Sequence, residues 1–305
     1  MRQLLLWMAG NRWLRRNLPR LWFSRRAVRR FMPGERMSDA LTAAQRFEGQ
    51  GRGVLFTHLG ENLTRIEDAD ATAIHYGQLV DEINERNLDG ELSLKLTQLG
   101  LDLDVERTYH HLAGLCRRAA PRTVWIDMEG SAYTELTIEL YERLKREHAN
   151  AGLCLQAYLK RTYLDFQRLL PLGPRIRLVK GAYAEPAAVA YQQRREVDAN
   201  FLALCVSMLE AKRSGADVFV GLGTHDTRLI AQVADHAQAV GLARDAFDVE
   251  MLYGVRGREQ RRLARQGFRV RVLIAYGAYW YPWYMRRLAE RPANVVFALR
   301  QLLPF

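Results

Sequence analysis

From about residue 52 the chain repeats one unit: a short β-branched or leucine-rich run, a glycine or polar break, then a longer segment with apolar residues at helical spacing. The runs that read as strands are GVLFTHLG (53–60), LSLKLTQLG (92–100), TVWIDME (123–129), LCLQAYL (153–159), RIRLVKGAY (175–183), DVFVGLGTH (217–225), FDVEMLY (247–253) and RVRVLIAYG (269–277). Each is spaced from the next as a parallel strand plus crossover helix requires. Eight such units point to a closed α/β barrel of the (β/α)8 or TIM type more than to an open doubly wound sheet. The intervening segments carry periodic apolar faces, as in 187–216, where Gly215 supplies a stop. The expected organisation is an N-terminal basic helical arm over 1–41, whose part 32–41 (MPGERMSDAL) is the candidate linker, and a barrel over 42–305.

Strands of a parallel barrel are covered on both faces, so polar residues inside them need a reason. Nearly every strand has one toward its C-terminal half: Glu61 just after the first, Lys95, Asp127 with Glu129, Gln156, Arg177 with Lys180, Thr224 with His225 and Asp226, Glu250 with Tyr253, and Tyr276. Any one of them has a plain structural explanation, such as a satisfied interior ion pair or a lysine reaching to water. Convergence from so many strands on one rim marks the mouth of the barrel as the place for chemistry.

Charge changes the picture at the N-terminus. Of the net charge of +11, nine arginines fall within residues 1–30, which hold no acid, so the remainder is close to neutral. Leu4, Leu5, Leu6, Trp7, Trp13, Leu14, Leu18, Leu21, Trp22 and Phe23 interleave with those arginines. No run approaches the roughly 20 apolar residues of a spanning helix, and the apolar stretch is too short for a cleaved signal. The arm reads as an interfacial segment drawn to an anionic membrane, or as a helical cover packed on the barrel. Nothing later in the sequence extends the basic patch, so nucleic-acid binding is not expected. Three cysteines (Cys116, Cys154, Cys205) without C-x-x-C spacing exclude a disulfide framework and a zinc ribbon and suit a reducing compartment; no metal site is expected.

The rim is rich in cations (Lys95, Arg177, Lys180, Arg286, Arg287) but has no phosphate-type glycine loop. GLGTHD (221–226) starts like a dinucleotide fingerprint and then places Asp226 at the last glycine. A large anionic ligand plus a small carboxylate would account for the charge. In YWYPWYMRRLAERP (279–292) a tight aromatic–proline turn feeds a helix that opens on Arg286 and Arg287. Adjacent helical positions point about 100° apart, yet both guanidinium forks reach one small acid placed beyond the helix start.

RLVKGAY (177–183), THD (224–226), IDME (126–129), KLTQLG (95–100), QAY (156–158) and WYPWYMRRLAERPAN (280–294) resemble, in order, the motifs of bacterial monofunctional proline dehydrogenases. The resemblance runs from about residue 32 to residue 303. It implies a distorted (β/α)8 barrel that binds FAD at the strand C-termini, removes a hydride from L-proline to flavin N5 to give 1-pyrroline-5-carboxylate, and passes electrons to a membrane quinone. It places the enzyme in the cytoplasm, peripherally on the inner membrane. By motif position it implies that Arg286, Arg287 and Lys95 clamp the substrate carboxylate, that Glu61 pairs with Arg286 as a gate and that Asp127 supports the clamp. Gln156, Arg177, Val179, Lys180, Gly181, Ala182 and Tyr183 would line the flavin, with Thr224, His225, Asp226 and Glu290 toward its pyrophosphate and adenosine.

Two positions depart from the family pattern: Leu273 and Trp283 stand where tyrosines are usual, and together with Tyr276 they form the expected substrate pocket. Hydroxyproline or an N-substituted proline is therefore the alternative substrate. Asp226 replaces the usual asparagine and puts a carboxylate near the pyrophosphate, which Lys180 or Arg194 must compensate. Two further readings belong to other classes: a Schiff-base barrel lyase using Lys95 or Lys180, and a non-catalytic membrane-surface module.

Overall fold

A computed structural model of the chain describes residues 11, 30–60 and 63–281. Eight parallel strands close into a barrel in sequence order: β1 (Gly53–His58), β2 (Gly90–Lys95), β3 (Val124–Asp127), β4 (Ala151–Gln156), β5 (Arg175–Val179), β6 (Phe219–Gly223), β7 (Asp248–Leu252) and β8 (Arg269–Tyr276). Six residues of register between β1 and β8 close the ring, from Gly53 opposite Arg271 to His58 opposite Tyr276. The eight expected strands are all present. Their C-terminal ends come earlier than the apolar runs suggest, because the chain turns off the barrel there. At β2, Leu96–Leu99 form a 3-10 turn pinned by Glu129, which accepts from the Thr97 amide (3.1 Å) and hydroxyl (2.8 Å).

The described helices are α1 (Met37–Glu48), α2 (Ile66–Glu85), α3 (Val105–Ala119), α4 (Thr134–Glu147), α5 (Thr162–Leu169), α6 (Arg194–Arg213), α7 (Thr227–Ala239) and α8 (Gly257–Arg265). Their apolar faces pack on the outward strand residues, as Ile83 of α2 does beside Phe56 and Gly90. Asp104 caps α3 by accepting from the Arg107 amide (2.9 Å), which uses one of the donors a helix start leaves unpaired. The helical reading of 187–216 holds only from Arg194. Residues before it form a loop, bridged at Ala190 to Leu159, and Gln193 with Glu196 starts the helix proper.

The chain joins the barrel earlier than residue 42. Phe31 and Met32 are buried, and α1 begins at Met37 and crosses the expected boundary, laying Ala40, Leu41, Ala43 and Ala44 inward beside β1 and β8. Glu35 accepts from the Trp280 indole N–H (3.0 Å) and ties this entry segment to the end of β8. Among the described residues no helix is long and apolar enough to cross a membrane.

The lower end of the barrel is closed by charge as well as by bulk. Arg271 donates to Asp248 (3.0 Å) and Asp89 (2.8 Å) and lies 3.6 Å from Glu91, which also accepts from the Trp125 indole (2.7 Å). Asp248 and Glu91 are both buried, so each is tolerable only with its partners in place. Replacing Arg271 by Met keeps the bulk but, among the described residues, leaves the Asp248 carboxylate with only Arg269 (2.7 Å) and that of Glu91 with only the Trp125 indole. Urea unfolding is expected to show a loss of about 3 kcal/mol at neutral pH, shrinking as acid neutralises them, and a loss under half of that at pH 7 overturns this account.

Candidate active site

Alternation along the strands sets which residues face the barrel interior. The register places Glu91 opposite Leu55, Trp125 opposite Ser93, Asp127 opposite Lys95, Arg177 opposite Cys154 and Val179 opposite Gln156. Above the closing layer of Glu91, Trp125, Asp248 and Arg271 therefore lies a middle layer with Ser93, Asp127, Cys154, Arg177, Glu250 and Leu273. Lys95, Gln156 and Val179 form the rim at the C-terminal ends.

Arg177 dominates the middle layer. Its side chain is 4% exposed, yet it reaches three other strands: it pairs with Asp127 on β3, donates to Ser93 Oγ on β2 (3.0 Å) and lies 3.2 Å from Glu250 on β7. Ser93 in turn donates to Asp127 (2.8 Å). Gly221 makes room for this group, since a Cβ there would stand 2.5 Å from Glu250 Oε1. Burial opposes the charge on Arg177, but Glu250 and Asp127 hold its pKa above the ordinary value. Two carboxylates share one guanidinium, and Asp127 has the serine as well. Glu250 is the weaker partner, and burial pushes it up to about 7 despite Arg177.

The rim beyond β5 and β6 carries a second charged cluster. Lys180 donates to Asp198 of α6 (2.5 Å) and to Asp226 (3.1 Å), while Arg194 approaches Asp226 at 3.5 Å and Arg228 at 3.6 Å. Burial works against ionised Asp226, but the bond and charge of Lys180 and the Arg228 amide outweigh it and bring its pKa down to about 2. Asp226 also caps α7, and Thr224 Oγ1 accepts from its amide (3.2 Å). His225 Nε2 accepts from the Leu252 amide (3.0 Å), which fixes that nitrogen as unprotonated. Gly181 holds φ at +115° with the Tyr158 ring 2.3 Å from where a Cβ would be, so only glycine fits this crest.

The sequence-selected residues separate into three groups. Lys95, Asp127, Gln156, Arg177, Val179, Lys180, Gly181, Ala182, Tyr183, Thr224, His225 and Asp226 all occupy the C-terminal ends of β2 to β6 or the loops that follow them. Leu273 lies on the inward face of β8 with Arg271, partly exposed toward the mouth. Tyr276 requires a correction: Val272, Ile274 and Tyr276 form the outward face of β8, and the Tyr276 hydroxyl bonds His75 of α2 (2.8 Å). It is a core residue packed on His58 and His75, because its even register places it against the helices. Glu61, Trp283, Arg286, Arg287 and Glu290 lie outside the described residues, as do residues 1–10 and 12–29 of the arm. Sequence reading missed Ser93, Tyr158 and Asp198 as members of these clusters. Ser93 had a signal, being a lone hydroxyl two residues before Lys95 on the same strand face.

A family model described as proline dehydrogenase matches residues 40–300. Proline dehydrogenase 1 of Bacillus subtilis is 34% identical over 305 residues, covering 99% of each chain. The chain belongs to the proline dehydrogenase family. The proline dehydrogenase of Deinococcus radiodurans is also 34% identical, over 90% of this chain and 89% of that one. In structure, the barrel matches proline utilization A from Bdellovibrio bacteriovorus inactivated by N-propargylglycine, with a TM-score of 0.80 and 19% identity over 94% of this chain and 38% of that one. That likeness concerns the fold, and it sets the family's enzymes on this (β/α)8 frame.

The described rim suits a flat, partly anionic cofactor. Gln156 donates to the Met128 carbonyl (3.2 Å), but its buried Oε1 has no partner among the described residues and needs a donor. Gly181 leaves backbone bare beside Tyr158, and Arg177, Lys180, Arg194 and Arg228 supply cations. Among the described residues no group of His, Cys, Asp and Glu is placed to hold a metal ion.

The Glu250 shift generates a pH dependence. A carboxyl raised from 4.5 to about 7 on folding favours the folded state at low pH, and this contribution fades as pH rises from about 4.5 through 7. Glu250→Gln keeps the shape without the titration. The melting temperature of the variant relative to wild type is expected to rise by several degrees between pH 5 and pH 8, and a constant difference rejects a proton on Glu250.

Proposed function

We propose that this chain is an FAD-dependent enzyme that oxidises L-proline to 1-pyrroline-5-carboxylate and delivers the electrons to a membrane quinone, acting on the cytoplasmic face of the membrane. The observation that carries the cofactor is Gln156 Oε1, a buried acceptor without a partner among the described residues, on the strand next to Arg177. A ring N–H of a flavin would satisfy it. Val179, Lys180, Gly181, Ala182 and Tyr183 would line that ring, and Thr224, His225 and Asp226 would face the phosphates. FAD, when bound, supplies the acceptor for the hydride that leaves the ring carbon beside the amine.

The protein's own part is to position and to hold charge. Arg177 is kept cationic by Asp127 and Glu250 at the centre of a dry barrel, where a fixed positive charge stabilises negative charge developing above it. Lys95, opposite Asp127 in register, would hold the substrate carboxylate with Arg286 and Arg287, while Glu61 would gate the pair. These cations also disfavour the protonated amine, whose proton must be absent before hydride can leave. The arm, with its arginines and tryptophans, would bring the mouth to the lipid surface where the quinone lies.

Anaerobic titration of the purified yellow protein with proline, hydroxyproline and N-methylproline tests the reading. Proline should bleach the flavin absorbance. A colourless protein that traps substrate on borohydride would instead identify a Schiff-base lyase. Arg287→Met should raise the half-saturating proline concentration roughly 10- to 150-fold, the range of a lost charged hydrogen bond, with flavin content unchanged. Unchanged kinetics reject the clamp.

Leu273 generates a second expectation. It faces the interior at a position where the family resemblance implies a tyrosine, so a wider pocket would make the preference for proline over substituted rings modest, about 10- to 200-fold. Leu273→Tyr should sharpen that ratio of kcat/KM values. A wild type that already strongly prefers proline, and that the substitution only damages, makes Leu273 a neutral packing change.

A further inference from the structure

Most helices of this barrel carry arginines that are matched by acids. Arg107 pairs with Asp70, Arg118 with Asp81 (2.5 Å), Arg143 with Glu106 (2.7 Å), and Arg168 with Glu142 (2.8 Å) and Glu135 (2.6 Å), each tying one helix to its neighbour. Helix α8, GREQRRLAR, breaks this rule. Arg258, Arg261, Arg262 and Arg265 recur at helical spacing on one exposed face, and Glu259, the one acid of the helix, is taken by Arg262 (2.9 Å). Among the described residues Arg258, Arg261 and Arg265 have no acidic partner.

The face is built rigidly. Gln260 and Leu263 are buried on the opposite side, and Gln260 donates to the Leu252 (3.0 Å) and Val255 (2.9 Å) carbonyls while accepting from Arg52 (2.8 Å). Two adjoining concavities share Arg261 and Arg265: one of about 560 Å³ with Gln50 and Gly51 on its far wall, the other of about 410 Å³ with Arg258 and Arg262. Guanidinium forks around open, shallow hollows suit phosphate oxygens.

The position of this face identifies its partner. Gly254, just before α8, has φ +72°, and the Arg30 carbonyl oxygen occupies the space where a side chain would be, 1.5 Å from an ideal Cβ. The arginine-rich arm therefore meets the barrel beside α8. The sequence alone had left the arm as an isolated basic patch; the fold adds a second patch at its root. The rest of the chain is nearly neutral, and the α8 face lies next to the point, at Arg30, where the basic N-terminal segment enters the described structure.

We propose that the α8 arginine face is a docking surface for anionic phospholipid headgroups, which acts with the arm to set the barrel's orientation on a bilayer. This rests on the reading that the enzyme works at a membrane, and it adds a surface on the folded barrel itself. A second contact on the folded barrel would fix orientation where the arm alone would act as a tether.

The test uses the full chain and sedimentation with phosphatidylcholine vesicles, with and without phosphatidylglycerol. A triple variant, Arg258→Gln, Arg261→Gln and Arg265→Gln, keeps helix-forming residues and removes three charges. It should weaken binding to the anionic vesicles about 100-fold at low salt, each surface charge counting roughly fivefold. The control, Arg107→Gln, Arg118→Gln and Arg143→Gln, removes equal charge elsewhere and should cost only a few-fold. Equal losses in both triples overturn the proposal, since net charge would then explain binding. So does full binding by the α8 triple with loss in Arg12→Gln, Arg15→Gln and Arg16→Gln, an outcome that leaves the arm as the whole anchor. A wild type that ignores anionic vesicles, whether or not it retains duplex DNA, overturns both the surface and the membrane reading. Circular dichroism melting confirms that each variant is folded.

Discussion

A guanidinium buried at the centre of a closed barrel has no water to fall back on, and the arrangement around Arg177 follows from that. An isolated charge there would be lost or expelled, so acids must come to it from neighbouring strands. Asp127, Ser93 and Glu250 reach it from β3, β2 and β7. The interaction draws together strands that are far apart in sequence. It also ties barrel closure to the charge state of the site, because disturbing the register of any of these strands strands a charge.

One cation between two carboxylates is not a neutral arrangement, and the imbalance is resolved by a proton. Asp127 has Arg177 and Ser93, whereas Glu250 keeps only the longer contact and has an oxygen with no hydrogen-bond partner. Burial, only partly offset by Arg177, pushes its pKa up to about 7. The middle layer thus sheds part of its excess negative charge at neutral pH while keeping a permanent guanidinium. A site that must stabilise developing negative charge gains from this, since the donor is fixed by its partners.

The fold was legible in the sequence because its signal is periodic and repeated eight times. Each strand run was found; some N-terminal ends differ by two residues, as at Gly90, Ala151 and Phe219, and the C-terminal ends come early where hydrophobicity continues into a turn such as Leu96–Leu99 that is fixed by Glu129 and not by pattern. The mouth was legible as a collection of polar residues in strands that ought to be apolar. Direction was not. Tyr276 reads as a rim residue by its place at the end of β8, but one position of register turns it to His75 and the helices. Asp198 was silent for the opposite reason, and Ser93 carried only a faint signal: short or common polar side chains gain meaning only when the fold puts them beside Lys180 and Arg177.

Asp226 shows how a local departure is absorbed by its surroundings. A carboxylate in place of a neutral amide adds a negative charge at a rim that would face phosphate, and a second acid, Asp198, lies on the same lysine. Against these two acids stand Lys180, Arg194 and Arg228, so the cluster keeps a single positive charge. The acid also caps α7 through the Arg228 amide, a role that either residue type fills. What changes is the cost of recruiting Lys180: with its donors directed at Asp198 and Asp226, an incoming phosphate must compete for them. The two exposed arginines, 75% and 78% open to solvent at their side chains, are free to turn toward an anion without leaving a buried acid unpaired. Affinity for a phosphate-bearing ligand here therefore depends more on these mobile cations than on the lysine, and more steeply on salt than it would with asparagine at position 226.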